Sequence, residues 1–430
     1  MPDLLLEDCL DALIDYRGKT PEKTSSGIPL ITAKIIKGGR IETPTEFIPR
    51  NNYDSWMRRG LPKAGDVVLT VEAPLGEVAQ LGPEKVALAQ RVVTLRGKTG
   101  VLDSTYLLYL LQTDELQSQL RARATGTTVL GIKQSELRKV RLKLPPFDLQ
   151  VAAAATLKAL DDRIALLRQT NTTLEAIAQA LFKSWFIDFD PVRAKQRGIA
   201  PNGIDEATAT LFPDSFEESE LGSVPKGWLA TILAEAFDIN PPRRLKKGGA
   251  SPYLDMASLT ASGHCVASPI QREMGSGAKF RNGDTLLARI TPCLENGKTA
   301  FVDFLENEQV GWGSTEFVVL RPRAPLPAYF GYLLCRHPAF REYAVQSMSG
   351  TSGRQRIQNN VLGRYVVAVP SDEIAAAFAA IGEPVQRSIA ANHQQALTLA
   401  TLRNTLLPRL ISGQLRLPEV EGRIAEASAA

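Results

Sequence analysis

QRVVTLRGKTGVLDSTYLLYLLQTDELQSQLRARATGTTVLGI, residues 90–132, has a counterpart at residues 316–357, EFVVLRPRAPLPAYFGYLLCRHPAFREYAVQSMSGTSGRQRI. Each stretch reads as a strand, a turn bearing Pro or Gly, an amphipathic helix and a Gly-Thr loop. Working outward, LPKAGDVVLTVEAPLGEVAQL (61–81) matches FRNGDTLLARITPCLENGKTAF (280–301), each a turn followed by an alternating strand. PLITAKIIKGGRI (29–41) pairs more loosely with PYLDMASLTASGHC (252–265). The last strand of each copy, VRLKLPP (140–146) and YVVAVPS (365–371), ends at a proline and runs into a helix. A period near 220 residues is too long for a solenoid and implies a duplicated domain.

Past Pro145 and Pro370 the pattern changes to a helical one. Leu157, Leu160, Ile164, Leu167, Leu174, Ala178, Leu181 and Trp185 alternate spacings of three and four, with Asn171 in the remaining slot. That is a coiled-coil seam sustained for about four heptads. The second helix carries Val385, Ile389, Asn392, Ala396, Leu399, Arg403, Leu406 and Leu410 in register with it, extended upstream by Phe378 and Ile381. A buried Asn fixes register at a cost in stability, whereas an Asn at the seam edge meets water; the pattern leaves both open for Asn171 and Asn392. Pro384 and Pro408 interrupt the second helix, and a kink or short break is expected near Pro384. A helix of about 40 residues would run ~60 Å, a spacer between lobes. Residues 189–228 are rich in Pro and Gly, then acidic, and read as a connector across the surface. The chain thus divides into lobe 1–145, central helix 146–188, connector 189–225, lobe 226–370, distal helix 371–413 and a fraying tail 414–430. The expected fold class is α/β (α+β), with two repeated domains built on small mixed or antiparallel sheets and two long antiparallel coiled-coil helices in pseudo-twofold arrangement.

Composition bounds the function. Of 430 residues, 44% are hydrophobic and 22% charged, the profile of a globular protein. No run of about 18 apolar residues is present, so no membrane span is expected. The acidic start MPDLLLEDCLDALIDYRGKT does not read as a secretory signal. Cys9, Cys265, Cys293 and Cys335 show no CxxC spacing, which points to a reducing cytoplasm rather than a disulfide framework or zinc site. The net charge of +4 is uneven: residues 1–145 and 226–370 carry a surplus of Lys and Arg, and the segment after each a surplus of Asp and Glu. Two basic lobes suit a phosphate backbone.

Catalytic constellations are missing. Asn240-Pro241-Pro242 is followed by Arg243, where an amino-methylating DNA methyltransferase needs an aromatic ring to stack on the flipped base, and no glycine-rich cofactor loop precedes it. Gly18-Lys19-Thr20 lacks the upstream glycine of a phosphate loop. Asp66 and Glu72 are not followed by a nuclease lysine, and Asp284 is followed by Arg289 rather than a second carboxylate. Gly65-Asp66 and Gly283-Asp284 are better read as turns that open strands. His264, His337 and His393 lie too far apart in sequence to suggest a metal site.

In its order and in several local stretches the chain resembles the specificity subunits of type I DNA restriction–modification enzymes. The matching stretches are GIPLITAKIIKGGRI (27–41), LFKSWFIDFDPVRAK (181–195), LGSVPKGW (221–228) and LLPRLISGQL (406–415), and the resemblance covers roughly residues 10–415. It implies that each lobe is a target recognition domain reading one half of a split, asymmetric site on double-stranded DNA. It further implies that the helices set the gap and dock two modification subunits, with two restriction subunits joining. S-adenosylmethionine, ATP and Mg²⁺ would then sit on those partners, and this chain would bind no cofactor and catalyse nothing.

For DNA contact the residues themselves offer Lys34, Lys37, Arg40, Arg58, Arg59, Thr127, Thr128 and Lys133 in the first lobe. In the second they offer Arg243, Arg244, Lys246, Lys247, Arg289, Arg354, Gln355 and Arg356. Small residues in the two Gly-Thr loops let backbone approach phosphate, and Arg and Gln can pair bidentately with guanine and adenine. For partner docking the seam and Trp185-Phe186 are named, with plain coiled-coil core as the competing reading. Two other functions stay open: a coiled-coil oligomerisation protein with protein-binding lobes, and a self-contained DNA-modifying enzyme.

Overall fold

The computed structural model describes residues 3–415 except 19, 220–221, 246–247, 268, 307 and 352. The chain forms two compact units, residues 1–164 with 398–430, and residues 165–397. The expected fraying tail lies outside the described residues beyond Leu415.

In the first unit the strand Val92–Gly97 pairs antiparallel with Leu10–Asp15 on one side and Val67–Val71 on the other. Val67–Val71 then pairs with Leu75–Gln80. All five residues of Val67–Val71 are buried, four of them aliphatic and the fifth Thr70, whose hydroxyl oxygen accepts the Glu77 N–H at 2.9 Å, so this strand is covered on both faces instead of alternating. The helix Ser104–Leu110 buries Tyr106, Leu107, Leu108, Tyr109 and Leu110, and Asp103 caps it by accepting the Tyr106 N–H at 2.8 Å. A second sheet sets Ile28–Ile31 between Phe47–Ile48 and a parallel partner, Ala87–Leu88. Asp3–Leu5 closes the lobe against Arg141–Lys143.

The second unit repeats this topology. Phe317–Pro322 lies between Phe237–Ile239 and Thr285–Ala288, and the latter pairs with Thr299–Phe301. Ala250–Leu254 takes Ile270–Glu273 antiparallel and Gly311–Gly313 parallel, with an added strand Ala278–Phe280. Leu229–Ile232 closes against Val366–Val369. Both Gly-Asp pairs open strands. Asp66 accepts the Lys63 N–H and binds Arg96, while Asp284 accepts the Arg281 N–H and binds Arg321, each contact within 2.6–2.8 Å. Each aspartate is almost fully buried, which only such pairing makes tolerable.

The helices Phe147–Phe186 and Asp372–Ile411 are each 40 residues long. In the second unit Asn171 meets Asn392, and Trp185 meets Phe378 with ring centroids 5.8 Å apart. Numbers rise along one helix as they fall along the other, so the pairing there is antiparallel. Leu167, Ala178, Trp185, Phe378, Ile389 and Ala396 are buried in that unit, with Leu174, Leu181 and Val385 half-buried. Leu157, Leu160, Ile164, Leu399, Leu406 and Leu410 are buried in the first unit, where Asp161 pairs with Arg403 and accepts the Tyr109 hydroxyl at 2.8 Å.

Three expectations need correction. The second helix is not broken at Pro384. Pro384 and Ala380, whose carbonyl loses its partner, both lie on the exposed face, where water can satisfy it; Pro408 and Asn404 stand likewise. The segment 189–225 is no plain connector: it forms the helices Asp190–Gln196 and Glu206–Leu211 and a hairpin of Phe216–Ser219 with Gly222–Pro225. Its Val192 and Phe212 enter the second unit's core. That insertion decides the place of Trp185 and Phe186. Trp185 packs edge-on against Phe212 at 4.9 Å, and Phe186 against Phe378 at 4.8 Å and Phe330 at 5.0 Å. With exposures of 1% and 4%, these rings are intramolecular core and offer no face to a partner.

Candidate nucleic-acid interface

The two Gly-Thr loops occupy the same place in the duplicated topology. In the first unit Thr125 and Gly131 exchange backbone hydrogen bonds at 2.8 and 2.9 Å, and the Ile132 N–H donates to Val71 O at 3.0 Å. In the second unit Ser349 and Arg356 exchange the same pair at 3.0 and 2.9 Å, and the Ile357 N–H donates to Arg289 O at 3.0 Å. Gly126 at φ 116° and Gly350 at φ 129° start the two loops. A Cβ on Gly126 would stand 2.2 Å from Val129 O, so glycine is required there. Each loop is therefore a closed, short-based projection rather than a slack segment.

The loops differ in chemistry. Thr127, Thr128, Val129 and Leu130 are all exposed in the first, Val129 and Leu130 at 50% and 42%. In the second, Arg354 is exposed and Gln355 half-buried, with Gln355 exchanging bonds with Thr291 at 3.0 Å. Arg356 grips Glu316 through Nε and Nη2 at 2.7–2.9 Å. The guanidinium holds the Glu316 carboxyl below its ordinary range, by hydrogen bonding first and then by charge, against the opposing effect of burial. Arg289 stands 3.8 Å from the same carboxylate.

The remaining expected residues fall as follows. Lys34, Lys37 and Arg40 are exposed, the last two on a tight hairpin through Gly38-Gly39; Glu42 at 2.8 Å offsets the Lys37 charge. Arg58 is exposed, and Arg59 donates Nη1 to the carbonyls of Asp15 and Arg17 at 3.1 and 2.7 Å. Lys133 is exposed at the foot of its loop. Arg244 is exposed, while Lys246 and Lys247 lie outside the described residues. Arg243 is not the free surface cation that was expected. Its Nη2 binds both oxygens of buried Asp284 at 2.8 and 2.9 Å, and its side chain is 10% exposed. The structure thus gathers Arg243, Arg289, Gln355 and Arg356 about one end of the second unit's sheet, and leaves the Lys37–Arg40 hairpin as a separate feature of the first.

Sequence reasoning passed over three residues here. Arg17 occupies the place of Arg243 in the first unit and donates Nη1 to Ile132 O at 2.6 Å, tying the strand end to the loop base. The repeat register was the signal for it. Lys279 and Thr315 join Arg243 and Arg289 around a cavity of about 460 Å³; no local pattern announces them. Asn240 completes the sheet edge: its N–H donates to Val319 O at 2.7 Å and its Oδ1 accepts the Val319 N–H at 2.9 Å. Asn240-Pro241-Pro242 is accordingly a structural loop.

Elsewhere in the second unit His264 is buried between Tyr329 at 3.1 Å and Asp303 at 3.0 Å, and Asp303 also accepts from Gln386 at 2.6 Å. Among the described residues, no group of three His, Cys, Asp or Glu side chains is placed to hold a metal ion. Nor, among those residues, is any helix long and apolar enough to cross a membrane.

Comparison with known proteins gives one consistent family. Residues 16–176 match the type I restriction modification DNA specificity domain. The chain is 27% identical to the type I restriction enzyme MjaIX specificity subunit of Methanocaldococcus jannaschii, over 94% of this chain and 90% of that one. It is 22% identical to the HindI specificity subunit of Haemophilus influenzae, over 77% and 82%. In fold it resembles the crystal structure of a type I restriction–modification S subunit from M. genitalium, with a TM-score of 0.57, 17% identity and 95% of each chain covered.

Proposed function

We propose that the chain is a specificity subunit of a type I restriction–modification enzyme, a reading supported by the match of residues 16–176 to that family's domain and by the likeness to the MjaIX specificity subunit over 94% of this chain, and that it reads a bipartite, asymmetric site on double-stranded DNA. Each lobe takes one half-site, and the length of the long helices sets the unread gap. Two modification subunits dock on the chain and two restriction subunits join them. S-adenosylmethionine, ATP and Mg²⁺ belong to those partners, and this chain, a recognition subunit and not an enzyme, supplies the address.

One observation supports this reading above the others. Two loops closed by the same backbone bonds stand at matching positions, yet one presents Thr127, Thr128, Val129 and Leu130 and the other Arg354 and Gln355. A common scaffold with different tips is what two readers of different half-sites require, since base edges specify and phosphates only position. Arg and Gln can pair with guanine and adenine, while aliphatic groups can meet thymine methyls.

A footprint of the assembled methyltransferase complex tests it. Two protected, unlike sequences separated by an unprotected gap are expected. Protection of one contiguous or palindromic sequence would overturn it.

A further inference from the structure

We propose that the cavity of the second unit bounded by Arg243, Lys279, Arg289 and Thr315 is a seat for a phosphate group of the DNA backbone, and that the first unit has no such seat. The inference rests on the DNA-reading function above and adds a ligand class, a location and an asymmetry to it.

The cavity holds about 460 Å³, and three cationic side chains but no carboxylate line it. The nearby acids are already engaged. Asp284 takes Arg243, Arg321 and the Arg281 N–H, and Glu316 takes Arg356. Arg289 has Glu316 at 3.8 Å, too far for a hydrogen bond, and its buried Nε has no hydrogen-bond partner. A guanidinium with unspent donors beside a cavity is costly unless an acceptor arrives. Lys279 Nζ donates to Arg243 O at 3.2 Å, which leaves two of its three donors. Asp284 clamps Arg243 and so fixes the wall. Phe317 and Pro241 add an apolar lining, which strengthens charge attraction by excluding water. The loop Ser349–Arg356 is tied to the same strand end, by Ile357 N–H to Arg289 O and by Thr291 N–H to Gln355 O, each at 3.0 Å, so an anion held here lies beside the reading tip. A backbone phosphate is the anion whose capture would position such a tip.

The first unit keeps only one of the three charges: Arg17 stands in the place of Arg243, and Asp15 at 2.6 Å offsets it. In the matched turns, Gly65-Asp66 and Gly283-Asp284, Leu61 stands where Lys279 does, and Val71 where Arg289 does. Leu61 is exposed and Val71 buried. The same topology therefore tolerates both apolar residues, which supplies a variant that folds.

The test is Lys279→Leu with Arg289→Val in the complex assembled with its modification subunits, binding site-bearing and random duplexes across a salt series. Affinity should fall ~5- to 50-fold for both duplexes at low salt, and the slope of log K against log salt should shrink by about one, the share of a single phosphate. The methylated sequence should stay unchanged, and Lys279→Arg should keep the wild-type slope. An undiminished slope overturns the phosphate seat while leaving the DNA-reading function intact. Failure of the wild-type complex to prefer any sequence would instead overturn that function. Inorganic phosphate supplies the second arm. Protection of the wild-type but not the variant complex from heat, with the DNA slope unchanged, would assign the cavity to a free anion and also overturn the proposal.

Discussion

Asn171 and Asn392 bond to each other across the paired helices of the second unit: the Asn392 Nδ2 donates to Asn171 Oδ1 at 2.9 Å, and the Asn171 Nδ2 donates to Ile389 O at the same distance. Two amides that pair in this way tolerate one alignment, because a slip of one heptad sets them against Leu399 and Ala178 in one direction and against Val385 and Ile164 in the other. Replacing one, as in Asn392→Leu, strands its partner half-buried and should cost about 1–2 kcal/mol. Replacing both with leucine should recover or exceed wild-type stability. Urea unfolding of the two single variants and the double closes the cycle, and additive losses would show that the pair is not coupled.

Glu316 should act as an acid-sensitive clamp on the second loop. Its folded pKa is depressed, so its contribution is complete above the unfolded value of about 4.3 and is lost as pH falls through the folded one. Protection of the Arg356 and Ile357 amides from hydrogen exchange, taken relative to the intrinsic rate at each pH, should therefore be full at neutral pH and fall below pH ~4. Glu316→Gln should flatten that pH dependence; an unchanged acid limb would mean that another group holds the loop.

Trp185→Ala should destabilise the second unit by about 3–5 kcal/mol, because it empties a site walled by Phe212, Phe186 and Phe378. Trp185→Phe should lose less and keep partner binding. Denaturant unfolding and pull-down with modification subunits separate the two effects. A variant that folds normally but loses its partner would return Trp185 to the docking surface.

Much of this architecture was legible in the chain itself, because a duplicated sequence shows its own register. Pro145 and Pro370, the two Gly-Asp turns and the two Gly-Thr loops each named their counterpart, and alternating spacings of three and four marked the long helices. The failures have a common cause. Periodicity shows which face is apolar but not what covers it, so Trp185 and Phe186 looked available until Phe212 of the supposed connector filled the space beside Trp185. A salt bridge spanning 41 residues, Arg243 to Asp284, has no local signature, and the cation it removes from the surface looked free. Pro384 was read by its missing donor alone; its exposed position makes that loss affordable.

Val129 and Leu130 are expected to act on DNA without acting on the fold. Both are exposed at the tip of a loop closed by backbone bonds, so Val129→Ser with Leu130→Ser should change stability by less than about 0.5 kcal/mol. Sequencing of methylated DNA should show preference relaxed at one or two positions of a single half-site. A wild-type pattern would leave the aliphatic tip without a reading role.

The most direct measurement is an exchange of residues 1–145 for the corresponding lobe of a relative with a different target, followed by sequencing of the methylated sites made by the assembled complex. One half-site should be replaced, with the other half and the gap between them unchanged. A change in both halves, or an unaltered site, would contradict the division of labour between two independent readers.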